Sequence, residues 1–333
     1  MTLNVLSLVT NDRSRFYKQQ VRGLENEGIS VTTLSLPTNP EISDDVSETR
    51  GVKDYLQFYR TALHEADGDY DLVHANYGLT APPAVMQRTL PVVLSLWGTD
   101  LFGPYGQVSR LCARFADEVI VMSPEMQHAL GRDCHVIPHG VDIDRFKPMD
   151  QVNARAELGW QGDAYHVLFP YPKQRAVKDY PRAARLISTV QARIDVPIEL
   201  QTVNNVPHSE MPVYMNAADM LLMTSKREGS PNAVKEALSC NLPIVSTDVG
   251  DVRSNLDSVT HSSVGTDDIE LAEAIEAVLR TVRDPPTQTK SERSNGRTVA
   301  KQLSHGALTK ELLSVYYSVV STDRTAQTVE ISR

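Results

Sequence analysis

Short apolar runs recur along the first half of the chain and are separated by stretches of helical length. Most of these runs are near-continuous in Val, Ile and Leu, which is typical of parallel strands that are buried on both faces. The runs begin at Asn4, Ser30, Asp71, Pro91, Glu118 and His135. Their alternation with helical stretches predicts six buried parallel strands in a doubly wound α/β domain.

A polar stretch over residues 146–164 interrupts this series, and a second series of apolar runs begins at Tyr165, Val196, Asp219 and Pro243. The repeat predicts two Rossmann-like domains facing a cleft, and 333 residues suffice for two domains. We expect an N-terminal domain over residues 1–148 and a second domain over 149–305. A C-terminal helix over 306–333 should pack back on the N-terminal domain and end in a loose tail.

Composition and charge exclude several classes of protein. The net charge of -9 disfavours a broad electrostatic contact with nucleic acid. The three cysteines lack the spacing of a zinc site and indicate a reducing compartment. No run approaches the roughly 18 apolar residues of a membrane span, and the N-terminus reads as a strand rather than a signal peptide. We therefore expect a cytoplasmic protein.

The segment after the run at Asp219 carries the clearest candidate chemistry. Ser230 is a good N-cap residue and Pro231 suits the first helical position, so we predict a helix from Ser230 to about Ser239. Its first turn would offer backbone N–H groups and the positive end of the helix dipole to a phosphate or a sugar hydroxyl. Gly229 lets the backbone approach a ligand closely.

Two glutamates flank this helix start. Glu228 precedes it, and Glu236 lies in its second turn on the same face as Asn232. Because carboxylates repel a diphosphate, we expect both to accept hydrogen bonds from the diols of a ribose and a hexose, worth about 1.5 to 3 kcal/mol each. The alternative is two solvated glutamates around a helix start.

These residues carry a resemblance to a known family. Glu228, seven intervening residues and Glu236, with GSPN after the first Glu and PIVSTDVGD downstream, resemble the donor-site motif of the retaining glycosyltransferases of family four. VHANYG, LWGTD, VIVMSPEM and VIPHGVDIDRF also appear in the order of that family, and the likeness covers about residues 70 to 280. The resemblance implies the GT-B fold of two Rossmann-like domains.

The resemblance also implies roles for individual residues. Glu236 would hold the nucleotide ribose, Glu228 would contact the donor sugar, and the backbone of Gly229, Ser230, Pro231 and Asn232 would touch sugar or phosphate. Arg175 and Lys178 resemble the pair of cations that neutralises the leaving diphosphate. A surface loop with unpaired cations is the alternative for that pair.

The first half of the chain departs from the family. Trp97 stands where the family often has a histidine that helps at the reacting centre, so Asp100 becomes the expected polar participant. His74 closes a predicted strand and is a third candidate beside Glu228 and Asp100, with a packed histidine as the alternative. Asp142 and Asp144 form a DxD string, but we read it as part of the domain joint and expect neither a metal nor a cofactor.

A glycine pair that the family often has after the first strand is absent here. In its place, Arg13, Arg15, Lys18 and Arg22 are interleaved with Phe16, Tyr17 and Val21. This stretch could face an anionic lipid surface or acceptor, giving peripheral contact at the inner face of the membrane. A solvated helix face is the favoured alternative.

Together these features predict a metal-independent enzyme of hexosyltransferase type. It would transfer a sugar from a nucleotide-diphosphate donor to a hydroxyl of a glycan or a lipid-linked saccharide, and the resemblance implies that the anomeric configuration is retained. Two alternatives stay open, a nucleotide-sugar epimerase of the same fold and a non-catalytic sugar-nucleotide-binding protein. A nicotinamide dehydrogenase is disfavoured because no GxGxxG follows a predicted strand.

Overall fold

The computed structural model describes residues 2–37, 51–283 and 293–331, and it describes the side chains of all of these except 283 and 323–331. The chain divides into two compact units. The first comprises Met1–His139 and His305–Arg333, and the second comprises Gly140–Ser304. Each unit has its own hydrophobic core.

The first unit is built around a parallel sheet with the strand order β2-β1-β3-β4-β5-β6. Its strands are β1 (Asn4–Val9), β2 (Ser30–Ser35), β3 (Leu72–Asn76), β4 (Val92–Leu96), β5 (Glu118–Val121) and β6 (His135–Val136). Its helices are α1 (Arg15–Asn26), α2 (Val52–Glu65), α3 (Ala81–Met86), α4 (Thr99–Phe102), α5 (Gly106–Ala113), α6 (Pro124–Leu130) and α14 (His305–Ile331), with a 3-10 turn at Gly78–Thr80.

The second unit contains a parallel sheet with the strand order β11-β10-β9-β7-β8. Its strands are β7 (Tyr165–Phe169), β8 (Ile198–Thr202), β9 (Met220–Met223), β10 (Ile244–Thr247) and β11 (Ser263–Gly265). Its helices are α7 (Gln151–Leu158), α8 (Tyr180–Gln191), α9 (Met211–Ala217), α10 (Asn232–Ser239), α11 (Val252–Leu256), α12 (Asp268–Arg283) and α13 (Gly296–Gln302), with a 3-10 turn at Ala176–Lys178.

The prediction of two Rossmann-like parallel-sheet domains is confirmed, but three details of the strands differ. β2 and β6 are largely exposed rather than buried, because they are the edge strands of the first sheet. β11 was missed, since its three residues, Ser263 to Gly265, form no apolar run.

The C-terminal helix α14 belongs to the first unit. Its buried face places Leu312, Tyr316 and Val319 in the same core as β1 and β3. The helix continues to Ile331, through the segment predicted as a loose tail. Residues 321–331 contain neither glycine nor proline, so nothing in their sequence ends a helix. In the described part of the chain, no helix has both the length and the hydropathy to cross a bilayer.

Candidate active site

The candidate site lies where the strand order of the second sheet changes direction. β7 runs beside β9 with Val167 opposite Met220, although β8 follows β7 along the chain. At such a switch point the loops that leave the two strands turn to opposite sides and open a crevice at the carboxyl edge. The loop after β7 carries Lys178, and the loop after β9 carries Glu228, so the topology brings these two residues together.

Lys178, which is buried, forms an ion pair with the partly buried Glu228. The Lys178 Nζ lies 2.5 Å from Glu228 Oε1 and 3.8 Å from the centre of the Tyr171 ring. Burial lowers the pKa of Lys178, and the charge and hydrogen bond of Glu228 oppose this shift. The alternative of unpaired surface cations is therefore wrong for Lys178, while Arg175, three residues earlier, is exposed.

Glu236 is held by a histidine that the sequence did not indicate. Its carboxylate oxygen Oε1 lies 2.7 Å from Nε2 of His208, in the loop that joins β8 to α9. Glu236 is 8% exposed, so it is not a solvated glutamate on the outer face of α10. His208 was missed because a lone histidine in a polar loop carries no spacing signal, and only the fold places it beside Glu236.

The predicted N-cap at Ser230 is wrong. α10 begins at Asn232 with Pro231 as its N-cap, and no side chain caps the helix. The Ser230 hydroxyl instead donates to Asp251 Oδ2 at 2.5 Å and accepts from Lys235 Nζ at 3.0 Å. Because charged partners on both sides engage that hydroxyl, it does not occupy the amides of the first turn.

The start of α10 therefore keeps backbone donors available for a ligand. The first N–H groups of a helix have no partner within the helix and carry its positive dipole end. The Oδ1 atom of Asn232, the first residue of α10, is buried and has no hydrogen-bond partner in the described part of the chain. A buried amide oxygen without a partner costs free energy, which is characteristic of a site completed by a ligand.

A glycine allows two loops of the site to touch. Gly250 has a φ of +57°, and a Cβ atom there would lie 2.2 Å from the carbonyl oxygen of Gly229. The loop after β10 is thus packed directly against the loop after β9. The contact involves the carbonyl oxygen of Gly229, and the close approach of a ligand to Gly229 stays a prediction.

Lys235 was also missed by the sequence reasoning. It lies on α10 and its side chain is 0% exposed, although a lysine on an amphipathic helix normally points to solvent. Burial lowers the pKa of Lys235 to about 8, and the negative charges of Asp251 and Glu236 oppose the shift. Asp251 is buried too, and desolvation raises the pKa of its carboxyl group.

In the first unit, Asp100 binds backbone amides. Its carboxylate accepts hydrogen bonds from the N–H groups of Trp97, Gly98 and Gly78, at 2.7 to 3.0 Å. The side chain is 2% exposed, and burial raises its pKa while the amides lower it. This arrangement fixes the turns after β3 and β4, and it leaves no acceptor atom of Asp100 without a protein partner.

His74 is enclosed in the core of the first unit. One ring nitrogen lies 2.6 Å from the Tyr316 hydroxyl and the other lies 2.7 Å from Ser95 Oγ. Desolvation lowers the pKa of His74 to about 3, so the imidazole is neutral at pH 7. These contacts favour the packed histidine over a group that meets a substrate.

Trp97 belongs to an aromatic cluster at the carboxyl edge of the first sheet. Its ring lies edge-on to His139 at 5.0 Å, and His139 stacks on Phe16 at 4.9 Å. Tyr17, the next residue of α1, is buried and its hydroxyl donates to Ser7. The aromatic residues of α1 are thus engaged within the protein, which favours the solvated helix face over a lipid-facing one.

The DxD string forms a local turn. Asp142 Oδ1 accepts hydrogen bonds from the backbone N–H groups of Asp144 and Arg145. Among the residues that the structure describes, no group of three or more His, Cys, Asp or Glu side chains is placed to hold a metal ion.

Two separate parts of the chain match glycosyltransferase family models. Residues 13–145 match the family described as Glycosyltransferase Family 4, and residues 181–281 match the family described as Glycosyl transferases group 1. The first match covers much of the first unit, and the second includes Glu228, Glu236 and all of α10.

Curated relatives carry transferase names. The chain is 26% identical to D-inositol 3-phosphate glycosyltransferase 1 of Catenulispora acidiphila, over 80% of this chain and 76% of that protein. It is 24% identical to the putative teichuronic acid biosynthesis glycosyltransferase TuaC of Bacillus subtilis, over 78% of this chain and 83% of that protein.

Solved structures share the fold at low identity. Sucrose-phosphate synthase of Thermosynechococcus elongatus superposes with a TM-score of 0.75 at 17% identity, over 96% of this chain and 100% of that one. HepE of Anabaena in complex with UDP superposes with a TM-score of 0.70 at 17% identity, over 95% of this chain and 100% of that one. The chain is therefore a glycosyltransferase of the GT-B fold, in which the first part is similar to Glycosyltransferase Family 4 and the second part to Glycosyl transferases group 1.

Proposed function

We propose that this glycosyltransferase moves a hexose from a nucleotide-diphosphate sugar to a hydroxyl of a glycan or a lipid-linked saccharide. The donor would bind at the carboxyl edge of the second sheet, and the anomeric configuration would be retained. The observation that carries the proposal is the grouping of Glu228, Lys178 and Glu236 around the uncapped start of α10.

Each part of the donor has a matching chemical group at this edge. The N–H groups at the start of α10 suit a phosphate. Glu236, oriented by His208, would accept hydrogen bonds from the ribose diol, and Glu228 would accept hydrogen bonds from the transferred sugar. Because both carboxylates already have a cationic or N–H partner, their orientation is set before the donor arrives.

Arg175 and Lys178 would stabilise the leaving group. Negative charge grows on the diphosphate as the glycosidic bond breaks, and fixed cations stabilise it most in a poorly hydrated site. Lys178 is buried against Tyr171, whereas Arg175 is exposed and free of the Glu228 ion pair. We infer that Lys178 sets the local field and that Arg175 closes on the diphosphate when the donor binds.

The first unit would bind the acceptor. Its candidate groups are those at the carboxyl edge of the first sheet, where Asp100 holds the turns and Trp97 is half-buried. Metal independence, a cytoplasmic location and peripheral contact with a membrane stay predictions from the sequence.

Calorimetric titration tests the donor site directly. We expect one of UDP-glucose, UDP-N-acetylglucosamine and GDP-mannose to bind the wild-type protein, and Glu236→Ala to weaken that binding about 10- to 100-fold, the value of one or two charged hydrogen bonds. Glu199→Ala is a matched control, since Glu199 lies on β8 and is exposed.

Product analysis separates the three candidate functions. A glycosyltransferase releases nucleotide diphosphate in the presence of an acceptor and forms a new glycoside. An epimerase would convert the donor with no acceptor present, and a binding protein would release no nucleotide diphosphate with any acceptor. Unchanged donor affinity in Glu236→Ala, with folding intact, would remove the site assignment.

A further inference from the structure

We propose that Lys235 is a positioning residue for donor binding, because it ties the donor loop, residues 228–231, to the loop after β10 through Ser230 and Asp251. The inference rests on the proposed function, since it concerns how the same site is held. It assigns a positioning role to the side chains of Lys235, Ser230 and Asp251, none of which is expected to contact the donor.

The tie is a chain of hydrogen bonds in the interior of the second unit. Lys235 Nζ donates to Ser230 Oγ at 3.0 Å, and Ser230 Oγ donates to Asp251 Oδ2 at 2.5 Å. Lys235 is 0% exposed and Asp251 is 6% exposed, so water does not weaken these bonds as it does at a surface. Both bonds involve an ionised group, which makes them stronger than neutral hydrogen bonds.

The backbone adds a second contact between the same two loops. The carbonyl oxygens of Gly229 and Glu228 would lie 2.2 and 3.1 Å from a Cβ atom at Gly250. Gly250 directly precedes Asp251, so the backbone contact and the side-chain tie are adjacent. Together they leave the donor loop little freedom to move away from the loop after β10.

Folding stability alone does not explain a lysine at this position. Replacing buried ionic groups by apolar residues of similar volume is often neutral or stabilising, because desolvation of the charges offsets much of their attraction. Methionine has nearly the length of lysine and carries no charge. A buried lysine that donates a hydrogen bond to a loop hydroxyl therefore indicates that the position of this loop is important for donor binding.

The donor loop carries Glu228, so the hydrogen bonds of Lys235 should affect the part of the donor that Glu228 contacts. Glu228 is assigned to the transferred sugar, whereas Glu236 and His208, assigned to the ribose, sit on α10 and in the loop before α9. Loosening the loop should therefore weaken contacts with the sugar and leave contacts with the nucleoside intact. A purely structural role of Lys235 would weaken both ends of the donor together.

The experiment compares two ligands in four proteins. The proteins are wild type, Lys235→Met, Ser230→Ala, and Lys301→Met as a control at an exposed lysine of α13. The ligands are the nucleotide sugar that binds the wild type and the nucleoside monophosphate of the same base. Dissociation constants are measured by calorimetry, and thermal unfolding is recorded for each protein.

We expect Lys235→Met and Ser230→Ala to raise the dissociation constant of the nucleotide sugar about 10-fold, which corresponds to about 1.4 kcal/mol. We expect the constant for the monophosphate to change less than about 2-fold in both variants. Lys301→Met should match the wild type for both ligands. Ser230→Ala keeps all charges and removes one hydroxyl, so it decides the question if Lys235→Met does not fold.

Two results would overturn the inference, namely unchanged affinity for the nucleotide sugar, or an equal loss for the sugar nucleotide and the monophosphate. Failure of the proposed function has a different signature. In that case the wild-type protein itself would bind no nucleotide sugar, or Glu236→Ala would bind it normally.

Discussion

The carboxyl edges of the two sheets use buried polar groups in opposite ways. In the first sheet, Asp100 at the carboxyl edge and His74 within β3 have all their polar side-chain atoms paired with backbone amides or neutral hydroxyls of the protein. At the edge of the second sheet, Lys178 and Glu228 are charged groups that pair with each other. The first arrangement stabilises turns, whereas the second keeps charge concentrated beside an uncapped helix start.

This difference indicates which of the two sheet edges has polar groups that are available to a ligand. A group whose every partner is a backbone amide cannot bind a substrate without releasing the turn that it holds. A charged pair at the rim of a crevice can exchange one partner for a ligand at a smaller cost. We therefore propose donor binding at the second sheet and structural roles for His74 and Asp100.

The largest effect should come from Arg175→Ala. Removing a cation that faces the leaving diphosphate should lower kcat about 100-fold, or about 2.7 kcal/mol, as loss of one preorganised donor does in other enzymes. Binding of the nucleoside monophosphate should change little. Steady-state kinetics and calorimetry measure the two quantities.

Arg185→Ala is the matched control, because Arg185 lies on α8 and its side chain is 64% exposed. An equal rate loss in Arg185→Ala would point to a general electrostatic effect of the surface. Normal kcat in Arg175→Ala would contradict a role for that residue in stabilising the leaving group.

Asp100→Asn should act on stability rather than on donor binding. The asparagine has one acceptor oxygen and turns an NH₂ group towards amide donors, so we expect a loss of about 2 kcal/mol in the free energy of unfolding. Urea denaturation measures this loss, with the exposed Asp133→Asn as control. If Asp100 were instead a catalytic group, its variant would lose transfer activity at unchanged stability.

His74 should make the protein sensitive to acid. Its pKa is lowered to about 3 in the folded state, whereas an unfolded histidine titrates near 6.5. Between these values the unfolded chain binds a proton that the folded chain does not, so stability falls as the pH falls below about 6.5. The contribution of this one group should reach about 2 kcal/mol at pH 5.

A comparison of variants isolates that contribution. His74→Gln should be less stable than wild type at pH 7 but should lose about 2 kcal/mol less between pH 7 and pH 5. His64→Gln, at an exposed histidine of α2, should keep the pH dependence of the wild type. Parallel pH dependence in wild type and His74→Gln would show that the imidazole is not held neutral.

Much of the fold followed from local pattern. Apolar runs predicted every strand of both sheets except β11, whose residues Ser263 to Gly265 are too few and too polar to form a run. The burial of β2 and β6 was overestimated, because a strand's position at the edge of a sheet depends on topology and not on its own residues.

Only those parts of the site that are formed by residues close together in sequence were predictable. Glu228 and Glu236 stand on either side of one helix start, so their spacing was informative. Tyr316 reaches His74 across 242 residues, and no local pattern encodes that contact. Lys235 lies within the motif, yet the sequence predicted no role for it, because its link to Asp251 through Ser230 joins two loops that only the fold brings together.

The most direct test of the donor site is a crystal structure with the nucleotide sugar that calorimetry identifies. We predict the diphosphate within hydrogen-bonding distance of the N–H groups at the start of α10, with a ribose hydroxyl donating to Glu236 and a sugar hydroxyl donating to Glu228. Density for the nucleotide sugar elsewhere in the protein, with both glutamates turned towards bulk water, would contradict the account.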